Sequence, residues 1–223
     1  MDINKKTILE KRINKVGEAL KKNNMEFYYA PTKNDVCPIV ESLMKDGNIV
    51  THGGSVSIGE CGLSDLLNSG RYIYLDRSKA SSPEEVVKIY KQAFTADVYI
   101  SSTNAVTEDG VLYNVDGNSN RIAAIAYGPE SVIIIAGYNK IVRDLDEAEI
   151  RVKTEAAPPN CVRLDCKTYC SEKGQCVSLN APAHQMSDGC SGDGRICCNY
   201  LISAQQRHKG RIKVILVGEE LGY

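Results

Sequence analysis

The chain has 223 residues, 27 of them basic and 28 acidic, for a formal charge of −1 at pH 7. That length accommodates one full domain plus a small appendage, and a balanced charge provides no basic footprint for a phosphate backbone, so nucleic acid is not an expected partner. No stretch approaches the roughly 18 apolar residues of a membrane span and the N-terminal residues lack the apolar core of a signal peptide, so no membrane partner is expected and the expected location is cytoplasmic.

In chain order, residues 4–22 place Leu9, Ile13, Val16 and Leu20 on one stripe, the pattern of an amphipathic helix. An extended segment at 26–30 precedes a helical stretch carrying Val36, Val40, Leu43 and Met44 on one face, followed by strands at 48–51 and 72–75. Ser82 is placed to cap a helix whose first turn holds Pro83, Glu84 and Glu85, which suits the free amides and the dipole. A strand follows at 97–101, then Asp109-Gly110 as a tight turn amid short extended segments, then a short helix over 120–127 ended by Gly128 and Pro129. The run Val132 to Ala136 has no alternation, as expected for a parallel strand covered on both faces. Residues 156–159, Ala-Ala-Pro-Pro, are expected to break regular structure, and Arg211 to Val217 form a final strand returning to the main sheet.

The class is therefore α/β, with a mostly parallel sheet, helices on both faces and a small cysteine-rich insertion before the last strand. The expected division is an α/β domain over 1–157, a cysteine-rich segment over 158–200, and a return strand over 201–223 that completes the α/β domain.

Two loops carry chemistry-bearing residues. The first, His52-Gly53-Gly54-Ser55, joins a strand to a helix, where glycines allow backbone amides to approach a phosphate or carboxylate. The second leaves the 97–101 strand as Ser102-Thr103-Asn104 and continues through Glu108 and Asp109 to Asn114, Asp116, Gly117 and Asn120. Ligands of open α/β sheets bind outside the carboxyl ends of the strands, so the two loops are expected to converge there. Expected ligand-binding residues are His52, Gly53, Gly54, Ser55, Thr103, Asn104, Asn114, Gly117 and Asn120. Glu108, Asp109 and Asp116 are candidate bases or nucleophiles, because a desolvated carboxylate is raised toward neutral pKa; Glu108 and Asp116 are the leading pair. Asp and Asn are equally common as turn residues.

Seven of the nine cysteines lie between Cys161 and Cys198, in some forty residues with too little apolar pattern for a core. In a reducing compartment they read as metal ligands, redox groups or buried thiols. Cys37 and Cys61 stand apart and read as small core residues.

The stretches THGGSVSIGECGL (51–63), ADVYISSTNAVTEDGVLYNVDGNSNRIAAIAYGP (96–129), VIIIAGYNKIV (132–142) and KVILVGEELGY (213–223) resemble the LUD-domain family, which includes the lactate-utilisation protein C group. The resemblance implies the broader fold of ribose-phosphate isomerases, glucosamine-phosphate deaminases and CoA transferases. Ser102-Thr103-Asn104 stands where those isomerases carry Gly-Ala-Asp, which argues against isomerase activity. It also implies a role beside redox subunits that convert lactate to pyruvate, and it points to Cys170, Cys176, Cys190 and Cys197 as the family's four cysteines.

Four thiolates suit zinc or an iron-sulfur cluster. Cys161, Cys166 and His184 remain alternative ligands, and no nucleotide cofactor is expected. Expected partners are a small-molecule anion, redox partner subunits and a second copy of the chain. Three functions stay open: a redox enzyme or subunit acting on a small carboxylate or phosphorylated metabolite, a noncatalytic assembly protein with a structural metal knob, and, by fold analogy, acyl-CoA or sugar-phosphate chemistry.

Overall fold

The computed structural model describes residues 2–223. Helix α1 (Ile3–Lys22) starts where the Asp2 carboxylate accepts the amides of Asn4 and Lys5, ends on Lys21 and Lys22, and buries Ile13, Val16 and Leu20. There follow β1 (Glu26–Ala30), α2 (Val36–Ser42), β2 (Ile49–His52), α3 (Val56–Glu60), α4 (Leu63–Leu67), β3 (Ile73–Tyr74), α5 (Pro83–Gln92) and β4 (Val98–Ser101). Next come β5 (Ala105–Thr107), β6 (Leu112–Asp116), α6 (Asn120–Ala126), β7 (Ser131–Gly137), β8 (Ile141–Val142) and α7 (Leu145–Arg151). Helices α8 (Ala157–Arg163) and α9 (Tyr169–Lys173) and strands β9 (Asn199–Ser203) and β10 (Ile212–Val217) complete the chain.

Six strands form a parallel sheet in the order β1-β10-β7-β4-β2-β3, so the fold is α/β. Strand β7 shows why its sequence does not alternate. Val132, Ile134 and Ala136 pack with Ile13, Val16 and Leu20 of α1 on one face, while Ile133 and Ile135 pack with Val36, Val40, Leu63 and Leu67 on the other. Both faces are covered by helices, so every position from Val132 to Ala136 is apolar. The last strand, β10, is inserted between β1 and β7 rather than added at an edge.

A second sheet, β8-β5-β6-β9, stands at the carboxyl end of the first. Its β5–β6 hairpin turns at Asp109-Gly110, and β9, which follows the cysteine-rich segment, pairs antiparallel with β6. That segment has no core of its own; Met186, Cys197 and Tyr200 pack against Ala105, Tyr113 and Val115 of the second sheet.

One expectation is corrected. Residues 156–159 do not break the chain: α7 continues through a single π turn, Val152–Ala156, into α8. Pro158 and Pro159 fall in the first turn of the restarted helix, where a missing N–H leaves no intrahelical bond unmade. The widened turn also lets the Lys153 carbonyl accept the Cys176 amide at 2.9 Å, which ties the cysteine segment to the helix.

Gly110 has φ +81°, and a Cβ there would lie 2.6 Å from backbone atoms of Ala19 and Leu20. Gly110→Ala is expected to lower the unfolding free energy by about 2 kcal/mol or more, through backbone strain and lost packing against α1. Urea denaturation checks it: the midpoint should fall with the slope unchanged.

Candidate functional site

The carboxyl ends of β2, β4 and β7 open into a polar cleft of about 370 Å³. Its walls are the Gly54-Ser55 loop after β2, Ser102-Thr103-Asn104 after β4, Asp116 at the end of β6 and Asn120 at the start of α6. The two loops singled out in the sequence therefore meet, at the crevice where ligands of such sheets bind.

The floor is a residue that the sequence reading passed over. Lys140 follows β7 in a short turn and is 3% exposed. Its Nζ donates to Ser57 Oγ at 2.9 Å and Ser102 Oγ at 3.0 Å. No carboxylate lies within ion-pair reach of it among the described residues. Burial, reinforced by the Arg151 and Arg121 guanidinium groups, pushes its pKa down to about 7. Arg151 holds the turn in place by donating to the carbonyls of Asn139 at 2.9 Å and Asn104 at 2.7 Å. A polar turn closing a fully apolar parallel strand was the signal available for Lys140.

Arg121 organises the wall. Its guanidinium donates to the Ser102 and Val115 carbonyls and to Asn114 Oδ1 and Asn104 Oδ1, at 2.6–3.2 Å. Asp116 accepts the amides of Arg121 at 3.0 Å and Ile122 at 3.3 Å, and stands 3.9 Å from Arg121 Nε. Nearer the solvent, Arg77 and Arg163 line the same cleft. Arg77 lies over the Tyr90 ring and Arg163 is bonded to Asn160 Oδ1. Arg77, Arg121 and Arg163, with Asp116 as the one acidic side chain in the lining, give the cleft an excess of positive charge.

The other expected residues divide as follows. Gly54, Ser55, Thr103, Asn104, Asp116 and Asn120 line the cleft. Gly53 and Asn114 support it from behind: a Cβ on Gly53 would meet Tyr99 Oη at 2.9 Å and Arg121 Cδ at 3.2 Å, and Asn114 holds Arg121. A Cβ on Gly54 would stand 2.5 Å from Arg77 Nη2, so the glycines allow close approach of the guanidinium groups. Gly117 packs near the Ile196 backbone instead. His52 stacks on Tyr74 with its Nδ1 2.7 Å from the Gly53 carbonyl oxygen, and burial holds its pKa below the ordinary value; it orients the loop.

Glu108 does not reach the cleft. It is ion-paired to Lys15 at 2.8 Å and Arg12 at 3.0 Å on α1, and the Lys15 contact foremost holds its carboxyl below the usual range. That is the opposite of what a general base requires. Asp109 is engaged by Thr107 in the hairpin turn.

The cysteines converge elsewhere. Cys161, Cys170, Cys176, Cys190 and Cys197 line an enclosed, apolar cavity of about 30 Å³ beside Tyr113 and Met186. Cys161 and Cys170 are closest, with their sulfurs 3.7 Å apart. No three His, Cys, Asp or Glu side chains stand where they would hold a metal ion, among the described residues. Burial pushes the thiols of Cys161 and Cys197 up to about 12. His184 faces Glu149, at 3.4 Å. Cys37 and Cys61 pack in the core of the main sheet, as expected of small apolar residues.

A model of the LUD domain matches residues 13–217. The chain belongs to the LUD-domain family. That membership supports a lactate-utilisation-type protein. The chain is similar to the crystal structure of a DUF162 family protein from Deinococcus radiodurans, with 13% identity, a TM-score of 0.53, and 94% of this chain and 98% of that one covered. Weaker likenesses include eIF2B beta from Chaetomium thermophilum, at 17% identity, TM-score 0.36, and 52% and 45% coverage. Ribose 5-phosphate isomerase from Plasmodium falciparum is another, at 14% identity, TM-score 0.32, and 50% and 52% coverage. No curated protein matches the chain. No helix among the described residues is long and apolar enough to cross a membrane.

The lowered pKa of Lys140 has a measurable sign. Between about pH 7 and the ordinary lysine value of 10.5 the unfolded chain binds a proton that the folded one does not, so this group raises stability as pH climbs through that window. Lys140→Met removes the dependence. Its stability relative to the parent should be highest at pH 7 and should decline toward pH 10 in urea melts at the two values.

Proposed function

We propose that the cleft binds a small anionic metabolite, a carboxylate or a phosphorylated compound, and that the protein handles it as one component of a redox system whose partner subunits carry the electrons. The observation that carries this reading is the charge arrangement: Arg77 and Arg163 toward solvent and Arg121 in the wall, with Asp116 the one acidic side chain lining the cleft. Arg121 contributes field rather than direct contact, because its terminal donors are already bonded to the protein. Arg77 makes no side-chain hydrogen bond to any described residue, and a guanidinium with free donors suits the two oxygens of a carboxylate or phosphate.

Titration calorimetry with lactate, pyruvate and inorganic phosphate tests the reading. Arg77→Ala and Arg163→Ala should each weaken binding about tenfold, or roughly 1.4 kcal/mol. Gly54→Ala should weaken it in the same direction by displacing Arg77, while Glu108→Gln leaves it unchanged. Absence of binding by all three anions would overturn the proposal.

A metal in the cysteine cavity belongs to the same reading, as an iron-sulfur cluster or zinc held by Cys170, Cys176, Cys190 and Cys197, with Cys161 as a further donor. The residue types favour it, and the sulfurs would have to draw together on binding, since no three such side chains stand at metal-holding positions among the described residues. Thiolates are the ligands both groups take, and the 3.7 Å between the Cys161 and Cys170 sulfurs is close to the edge of a tetrahedron with bonds of about 2.3 Å. A bound metal would supply folding energy to a segment lacking its own core. Elemental analysis and an absorption spectrum on anaerobically purified protein should show near-stoichiometric iron or zinc, reduced in Cys170→Ser. A metal-free protein that folds normally would remove the site.

A further inference from the structure

The hydrogen bonds around Lys140 assign its amine a protonation state, and with it a reactivity. Each serine that accepts from Nζ directs its own hydroxyl proton elsewhere: Ser57 Oγ donates to the Leu221 carbonyl at 3.2 Å and Ser102 Oγ to the Thr103 carbonyl at 3.3 Å. Both serines are therefore acceptors toward the lysine. A neutral amine has two N–H bonds and one lone pair, and two acceptors satisfy the N–H bonds completely. A charged ammonium has a third N–H, which no described group takes, and it would stand in a buried site beside Arg121 and Arg151 with no carboxylate partner. The site thus fits the free base, whose lone pair has no protein partner, at the floor of an open cleft. A desolvated lysine next to other cations is the form of lysine that attacks carbonyl carbon.

We propose that Lys140 is a nucleophile that forms a reversible imine with a small anionic carbonyl compound held in the cleft. This rests on the anion-binding reading above: Arg77 and Arg163 hold the carboxylate or phosphate, and the carbonyl is presented to Nζ. The amine lone pair attacks the carbonyl carbon, the C–N bond forming as the C–O π bond breaks, and one proton passes from nitrogen to oxygen to give a neutral carbinolamine. Nitrogen then forms its second bond to carbon as the remaining C–O bond breaks, and the hydroxyl leaves as water with the second proton from nitrogen. Amine plus carbonyl gives imine plus water, with no change of oxidation state, and hydrolysis reverses it. Ser57 and Ser102 aim the amine for the attack, because each is itself anchored to backbone. The shared chemistry is a carbonyl on an anion, and the two sources are a 2-oxo acid and a phosphorylated aldehyde.

The test uses the full chain and sodium cyanoborohydride, which delivers hydride to an iminium and fixes it as a secondary amine. Pyruvate forms one arm and glyceraldehyde 3-phosphate the other, followed by peptide mapping. The expected result is labelling of Lys140 in at least one arm, roughly tenfold above any surface lysine, and suppressed by the matching compound without a carbonyl, lactate or glycerol 3-phosphate. The arm that labels identifies the anion class. Peptide mapping of the unsubstituted protein keeps the result independent of how Lys140 variants fold, and Lys140→Arg, with circular dichroism to confirm its fold, should lose the label.

Binding of pyruvate or glyceraldehyde 3-phosphate in calorimetry without selective labelling of Lys140 overturns the imine and leaves the anion site standing. Equal labelling of many lysines has the same consequence. No binding and no selective label overturns both readings.

Discussion

The Arg121 guanidinium is the constraint on which the site depends. Its side chain is largely buried, 12% exposed, and its four hydrogen bonds reach the loop after β4, the strand β6 and the Asn104 side chain. Burying a cation costs several kcal/mol unless its donors are met, so these groups are held where Arg121 needs them. Ser102, which Arg121 fixes through its carbonyl, is also an acceptor for Lys140. One buried charge thereby sets the wall of the cleft and helps to set its floor.

The same charge tunes the lysine. Arg121 and Arg151 both oppose protonation of Lys140, after burial itself. The carboxylate that might have compensated, Asp116, is engaged by the first amides of α6. An anion bound as proposed would act as the counter-charge and favour the protonated lysine, so affinity and the amine's nucleophilicity would be linked through one proton.

The cysteine-rich segment is organised by its attachments rather than by a core. The π turn before α8 anchors the Cys176 amide, β9 pairs with β6, and Met186, Cys197 and Tyr200 share the apolar cluster of the second sheet. These attachments bring five thiols from separate parts of the segment around one small apolar cavity. Gly117, at the end of β6, packs on the Ile196 backbone. The cysteine segment thus touches the strand that leads into the cleft.

The sequence by itself determined the class of the main sheet, because a parallel strand covered on both faces has to read as an apolar run, as residues 132–136 of β7 and 214–217 of β10 do. It also determined that the loops after β2 and β4 face a common crevice, since parallel strands carry their following loops on one edge. Local rules reached the capped helices and the Asp109-Gly110 turn for the same reason: the interactions span only a few residues. Tertiary structure alone decided the rest. Glu108 became a surface ion pair because α1, some 93 and 96 residues earlier, places Lys15 and Arg12 beside it. Lys140 became a site residue because its two serine partners lie 83 and 38 residues away. The second sheet escaped the sequence because its pairing is long-range: β9 reaches β6 only across the cysteine-rich segment, and β8 pairs with β5 from beyond β7. Charge burial and long-range pairing are properties of neighbours in space, and no window along the chain contains them.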